Sequence, residues 1–224
     1  MYRKLDEAAL GTILEAGIAE FARCGFQPAS VANVARAAGV SVGVIYKYFG
    51  DKQSLFLACV RHSLELLDAT LREAVPEGAD AETSIRALVP ALIAAARQHG
   101  NYNVLYNEIT SGSCREFAPE LAREIESRTA QLYTRLFETA KEAGALAPGL
   151  APEAAAFFFD NLLMMLQFSY SCDYYQHRMR LYCGENAAWN DEMMADQLTR
   201  FLLGAMRGEG SCNISLPTTS EPPA

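Results

Sequence analysis

The chain has 224 residues and a mass of 24.5 kDa, with half of its residues apolar, which provides for a sizeable core and excludes an intrinsically disordered protein. Nineteen Lys and Arg against 27 Asp and Glu give a formal net charge of -8, a balance that taken whole speaks against an anionic partner. The richest apolar stretch, residues 154–168, is broken by Asp160 and Asn161 and is shorter than the roughly 20 residues that cross a bilayer, so no membrane partner is expected.

From Leu5 to Arg207 apolar residues recur at spacings of three and four, and no stretch alternates strictly, which predicts an all-α fold. A first helix over 5–24 carries Leu10, Ile13, Leu14, Gly17, Ile18 and Phe21 on one broad face and stops at Gly25. Ser30 offers an N-cap to a short helix over 31–38, which Gly39 ends. Ser41 caps a third helix over 42–49, and Gly50-Asp51 precedes a long helix over 52–74. The acidic, Pro- and Gly-containing segment 76–81 is a linker by composition. Helical patterns follow at 82–99, 101–111, 117–144, 152–175 and 190–207, with Pro90 expected to kink the first of these or shift its start. The Ser-, Thr- and Pro-rich residues 208–224 are expected to be a disordered tail.

Six cysteines at 24, 59, 114, 172, 183 and 212 are too scattered for a zinc knuckle or a CxxC redox pair, and they read as reduced thiols. Cys172, Asp173, His177 and Cys183 fall in one short stretch, but their spacing matches no recurrent zinc signature; they read as polar residues where a helix gives way to a loop. No metal or other cofactor is expected. GxSxG, HExxH and a phosphate-cradling glycine loop are absent, so the chain does not read as an enzyme. Residues 1–20 hold six charged side chains and no apolar run, unlike a secretory signal, and a cytoplasmic location is expected.

Two short helices joined by a Gly-containing turn, the second capped by Ser, have the form of a helix-turn-helix. On the second of them Ile45 and Phe49 share an inward arc, while Val42, Gly43, Tyr46 and Lys47, flanked by Val44, face outward. Small residues, one aromatic and one cation suit a helix that enters a groove about 12 Å wide. Gly43 costs roughly 1 kcal/mol of helix propensity against Ala and permits close approach of backbone to base edges. Val42 and Val44 can meet thymine methyls, and Lys47 can reach guanine acceptors or a phosphate. Tyr46, Tyr48, Ser30, Ser41 and Lys52 stand where they can bond the sugar-phosphate backbone or set the helix N-terminus against it.

The residues Ile13 to Phe21-Ala22, Gly25-Phe26, Ala29-Ser30-Val31, Val34-Ala35, Ala38-Gly39-Val40-Ser41, and Ile45-Tyr46-Lys47-Tyr48-Phe49 through Lys52-Gln53-Ser54-Leu55 resemble the DNA-binding region of TetR/AcrR-type transcriptional regulators, in order and without a gap. Two positions depart from the usual pattern: Val42 stands where a polar or basic side chain is common, and Gly17 where Ala is. The resemblance implies a DNA-binding domain over 1–51 and a helical ligand-binding and dimerisation domain over 52–207. It implies a homodimer, usually a repressor, that binds a palindromic double-stranded operator and is released by a small-molecule inducer. It also assigns the last two long helices to the dimer interface, where Phe157, Met165, Leu198, Phe201 and Leu202 are candidates. For an apolar or amphipathic inducer the candidate contacts are Tyr102, Tyr106, Asn107, Phe117, Phe158, Asn161, Met164, Gln167, Phe168 and Tyr170. Control by a protein partner, or by oxidation of thiols such as Cys24 and Cys59, is the alternative.

The overall charge then divides. Residues 1–60 hold six Lys and Arg against five Asp and Glu, leaving thirteen against twenty-two in the remainder, so the acidity belongs to the C-terminal part and no longer argues against DNA.

Overall fold

Side-chain caps fix where five of the helices begin. Asp6 Oδ1 accepts the Ala9 N–H at 2.9 Å and opens α1 (Glu7–Cys24). Ser41 Oγ accepts from Val44 N for α3 (Val42–Phe49), and Asp51 Oδ1 from Ser54 N at 2.7 Å for α4 (Lys52–Ala74). Asp80 Oδ1 takes Thr83 N at 2.7 Å to start α5 (Ala81–Gln98), and Asn190 Oδ1 takes Met193 N to start α10 (Asp191–Arg207). These bonds from Ser54 and Thr83 hold the Asp51 and Asp80 carboxyls below the usual range. Between them lie α2 (Val31–Ala37), α6 (Gly100–Ile109), α7 (Ala118–Glu142), α8 (Pro152–Ser171) and α9 (Asp173–Cys183). This computed structural model describes residues 5–109, 114, 118–186 and 190–208, and among them there is no strand. The expected tail, apart from Gly208, lies outside the described residues.

One expectation needed correction. The helix beginning at Pro152 stops at Ser171, because Cys172 is extended (φ -108°, ψ 128°), and a separate helix follows where a loop was expected. Only Met179 of α9 is buried, so that helix has no apolar stripe for a periodicity to reveal. Pro90 neither ends α5 nor displaces its start. It sits on an exposed turn, where the Arg86 carbonyl that it cannot bond is open to water.

The buried side chains form two cores. In the C-terminal one, α5 supplies Ile85, Leu88, Val89, Leu92 and Ile93, which meet Tyr133 and Phe137 of α7, Phe159 and Leu163 of α8, and Leu202, Leu203 and Met206 of α10. The N-terminal core gathers Phe21, Phe26 and Phe56 in stacked, edge-to-face and tilted pairs, with centroids 5.0 to 6.3 Å apart, among Ile13, Ile18, Val34, Ile45 and Leu55. It is not closed by α1 to α4 alone. Leu105 and Ile109 of α6 and Leu121 and Ile125 of α7 are buried in it, so the packing unit does not end at residue 51.

Where α1 crosses α4, Gly17 has a direct reason. A Cβ at this position would lie 2.5 Å from Cys59 Sγ, which is itself fully buried and donates toward the Leu14 carbonyl at 3.5 Å. Gly17→Ala is therefore expected to destabilise the fold by about 1–3 kcal/mol through overpacking. In a Cys59→Ala background the same change should cost far less or stabilise, because alanine's higher helix propensity is then unopposed. Urea midpoints of the two single variants and the double variant check this.

Candidate nucleic-acid interface and effector crevice

The turn between α2 and α3 is a Schellman motif: Val40 N donates to Ala35 O at 2.9 Å and Gly39 N to Arg36 O, with Gly39 at φ +69°. It turns α3 so that Ile45 is buried, with Val44 and Phe49 half-buried against the same core. Val44 thus packs partly within the subunit, where the sequence placed it among base contacts. Val42 (37% exposed), Gly43, Tyr46 (46% exposed) and Lys47 form the exposed face. A Cβ on Gly43 would meet nothing closer than Ser41 Oγ at 3.8 Å. Nothing inside the subunit requires glycine there.

Around this face the polar groups are anchored. Tyr48 Oη accepts the Leu5 N–H at 2.6 Å and keeps its own proton for another acceptor. Ser30 occupies the N-cap of α2, but its hydroxyl makes no capping bond. The start of α2 is held instead by Glu20, 8% exposed, which accepts from Ser30 N (3.2 Å), Asn33 Nδ2 (2.8 Å) and Arg23 Nη2 (2.7 Å). Burial pushes the Glu20 carboxyl up, and these bonds from Asn33, Arg23 and Ser30 outweigh it, leaving its pKa lowered. Lys52, expected at a phosphate, turns its ammonium onto the Gln27 and Ala29 carbonyls at 2.8 and 3.4 Å and lies 5.0 Å over the Phe26 ring. It ties down the connection between α1 and α2.

The residues expected to line one pocket divide between two. Tyr102, Tyr106 and Gln167 line a crevice of about 60 Å³ between α4, α5, α6 and α8, together with Ser63, Leu64, Leu66, Leu67 and Asn103. The α4 residues were missed, although three leucines within Leu64-Glu65-Leu66-Leu67 are more than one core-facing stripe needs. Asn161 and Met164 line a separate cleft of about 360 Å³ between α7 and α8, with Glu126, Glu153, Phe157 and Asp160. Tyr106 Oη donates to Glu126 Oε1 at 2.6 Å and joins the two. Burial and the Glu126 charge push the Asp160 carboxyl up to about 6; its signal in the sequence was its interruption of the apolar run.

Other candidates fall elsewhere. Phe168 is buried between Tyr106 and Tyr175, its centroid 5.7 and 5.5 Å from theirs, and Tyr170 is buried under the Arg97 guanidinium, which pairs with Asp191 at 2.7 Å. Both serve packing. Asn107 is half-buried on α6 outside the crevice lining, and Phe117 lies outside the described residues. Phe158, expected as a pocket wall, is 59% exposed beside Phe157 (64%), because the inward positions of α8 are taken by Ala155, Phe159 and Leu163. Of the dimer candidates, Phe157 and Phe201 (62%) are exposed, and Met165 and Leu198 are half-buried. Leu202 is corrected to the chain's own C-terminal core, in one cluster with the buried residues of α5.

An all-helical chain that presents a helix-turn-helix from its N-terminal core is the architecture of a DNA-binding transcriptional regulator. Residues 13–59 match the model for bacterial regulatory proteins of the tetR family, and the chain belongs to this family. It is 30% identical over 160 residues to the HTH-type transcriptional regulator BetI of Paraburkholderia phymatum, covering 70% of this chain and 81% of that protein. The BetI protein of Paraburkholderia xenovorans is 31% identical over 133 residues, 59% of this chain and 67% of that one. In fold the chain is similar to the fatty acid degradation regulator FadR of Bacillus halodurans (TM-score 0.70, 19% identity, 92% of this chain and 99% of that one). It is also similar to FadR of Bacillus subtilis, solved in complex with stearoyl-CoA (TM-score 0.69, 15% identity, 88% and 98%).

Asp160 provides a pH test of the α7–α8 cleft. Its pKa in the fold, about 6, lies above the ordinary 3.8, so ionisation costs stability: the cost is absent below about pH 4 and complete above about pH 6. Asp160→Asn should therefore match the parent near pH 4 and melt at a higher temperature at pH 7.5. A gain in melting temperature that is the same at both pH values would contradict this assignment.

Proposed function

We propose that the protein is a homodimeric repressor in the cytoplasm that binds a palindromic DNA operator through α3 and leaves it when a small molecule occupies the helical domain. The observation that carries this reading is the exposed face of α3, where a glycine with no intramolecular purpose lies between Val42, Tyr46 and Lys47. Such a face fits the major groove, with Val42, Gly43, Tyr46 and Lys47 toward the bases and Val44 at the edge. Ser30, Ser41 and Tyr48 are suited to backbone contacts. Lys52 contributes by holding the loop before α2, and its charge remains near the phosphates.

Dimerisation through α8 and α10 accounts for three phenylalanines, Phe157, Phe158 and Phe201, that one subunit leaves more than half exposed. Two copies related by a two-fold axis would place their α3 helices one helical turn apart, about 34–36 Å. Among the described residues no helix is long and apolar enough to cross a membrane. For control, an effector is favoured over thiol oxidation. Cys59 is fully buried, and desolvation raises the pKa of both its thiol and that of Cys24, so neither is readily a thiolate. The stearoyl-CoA in the Bacillus subtilis FadR structure is that protein's ligand, and it supports an apolar effector here by analogy of fold alone.

Footprinting on the DNA flanking the gene is expected to protect an imperfect palindrome, and an asymmetric site would overturn the dimer reading. Lys47→Ala should change sequence preference, whereas Lys52→Ala should weaken binding to all sequences and also lower the melting temperature. Phe157→Glu with Phe201→Glu should give a monomer by light scattering and reduce operator affinity by about 100-fold or more, as the second half-site is lost.

A further inference from the structure

Two surface features lie toward opposite ends of α8, and each has what the other lacks. At the C-terminal end, α9 buries only Met179 and leaves Tyr174, Leu181 and Tyr182 more than two-thirds exposed. Steps of three and four along the helix put these three on one outward stripe with Arg178, whose guanidinium lies 5.1 Å over the Tyr182 ring. Tyrosine and arginine are the residue types that protein interfaces favour. Among the described residues no carboxylate pairs with Arg178, and His177 beside it is also exposed. The helix is held at this end of α8 by Gln176 Nε2, which donates to Tyr170 O at 3.2 Å, and by Tyr175 against the Phe168 ring.

The N-terminal half of α8 carries the complement. Phe157 and Phe158 are more than half exposed there, beside the cleft of about 360 Å³ between α7 and α8. Glu126, Glu153 and Asp160 line that cleft, and among the described residues no Lys, Arg or His does. None of the three is ion-paired among the described residues; Glu126 accepts from the Tyr106 hydroxyl. About 27 Å of helix, at 1.5 Å per residue, separates Glu153 from Ser171, where α9 departs. An apolar stripe with an unpaired cation thus stands toward one end of α8, and an apolar rim with unpaired carboxylates toward the other.

We propose that each copy of the chain seats the outward stripe of its α9 on the α7–α8 cleft of a second copy, with Arg178 at the carboxylates and the apolar side chains against Phe157 and Phe158. This rests on the homodimer reading above and adds a contact to it. Two copies lying antiparallel along α8 about a two-fold axis would make the contact twice. The cleft is then a socket that only the second copy completes. Charge complementarity favours this occupant over an anionic one. DNA or a membrane surface would engage Arg178 and His177 but would face the excess acid of residues 61–224, thirteen Lys and Arg against twenty-two Asp and Glu. A second copy satisfies the cation and the carboxylates together, and opposite charges placed in this way fix the register of an interface.

The test uses the full-length protein, charge reversals at two exposed positions, and dimer dissociation measured by analytical ultracentrifugation. Arg178→Glu and Glu153→Arg should each weaken the dimer by about tenfold or more, because symmetry sets like charges together twice. Mixed in equal amounts, the two variants should form a heterodimer about as stable as the parent, since both contacts are then Arg against Glu. A variant that had merely unfolded would not be rescued in this way. Should Glu153→Arg not fold, Leu181→Ser with Tyr182→Ser, on the exposed stripe, is expected to weaken the dimer instead. Single variants that dimerise as the parent does, or a mixture no tighter than either variant alone, would overturn this docking while leaving the homodimer intact. Loss of binding to duplex DNA or to anionic phospholipid vesicles by Arg178→Glu, with its dimer unchanged, would assign α9 to those partners and overturn it as well. A parent that sediments as a monomer would overturn both readings.

Discussion

The burial of Leu105 among the side chains of α1 and α4 is the contact on which much of this molecule depends. A DNA-binding module of three or four short helices has little interior of its own, and here Phe21, Phe26 and Phe56 leave an opening that α6 and the first turns of α7 fill. Closing one core with residues from the other half of the chain joins the two halves mechanically. The acidic C-terminal helices are therefore part of what holds α3 in place, and a disturbance among them has a short physical route to it.

Polar contacts then refine what packing begins. Lys52 and Glu20 illustrate this from opposite signs of charge. The ammonium of Lys52 is spent on carbonyls of the loop between α1 and α2, and the carboxylate of Glu20 on donors at the start of α2. Both residues stabilise the geometry in which a small exposed face, Val42 to Lys47, can be offered to DNA. With charge used in this way, the near balance of charge in residues 1–60 leaves little net positive charge to attract phosphates.

Much of the fold was legible in the sequence because helix boundaries are chemical. Asp51 and Gly50, Ser41 and Gly39, and Gly25 mark starts and stops by side-chain acceptors and by positive φ, and α3 and α4 fall on their expected residues, whereas Asp6, read as part of the first helix, caps it. Helix α9 was not legible, since a helix that buries one residue leaves no stripe. For the candidate sites, periodicity tells which residues share a face but not what that face meets. Leu202 and Phe201 are neighbours on one helix, yet one joins the core and the other faces out. Phe158 was assigned inward on composition, while Phe159 next to it took that place. Likewise, Tyr106 and Met164 were grouped because both lie in the helical domain. Only the crossing of α6 and α7 against α8 separates a crevice from a cleft.

The missing side chain at Gly17 has a mechanical consequence. With Cys59 Sγ 2.5 Å from where a Cβ would be, α1 and α4 are keyed together at the one position of α1 that leaves room for the sulfur. A joint of this kind does not absorb displacement. A shift imposed on α1 is carried into α4 through this joint and through the Phe21–Phe56 ring contact. The N-terminal helices thus move as one lever, whose stiffness is set by a hydrogen atom in α1 and a sulfur atom in α4.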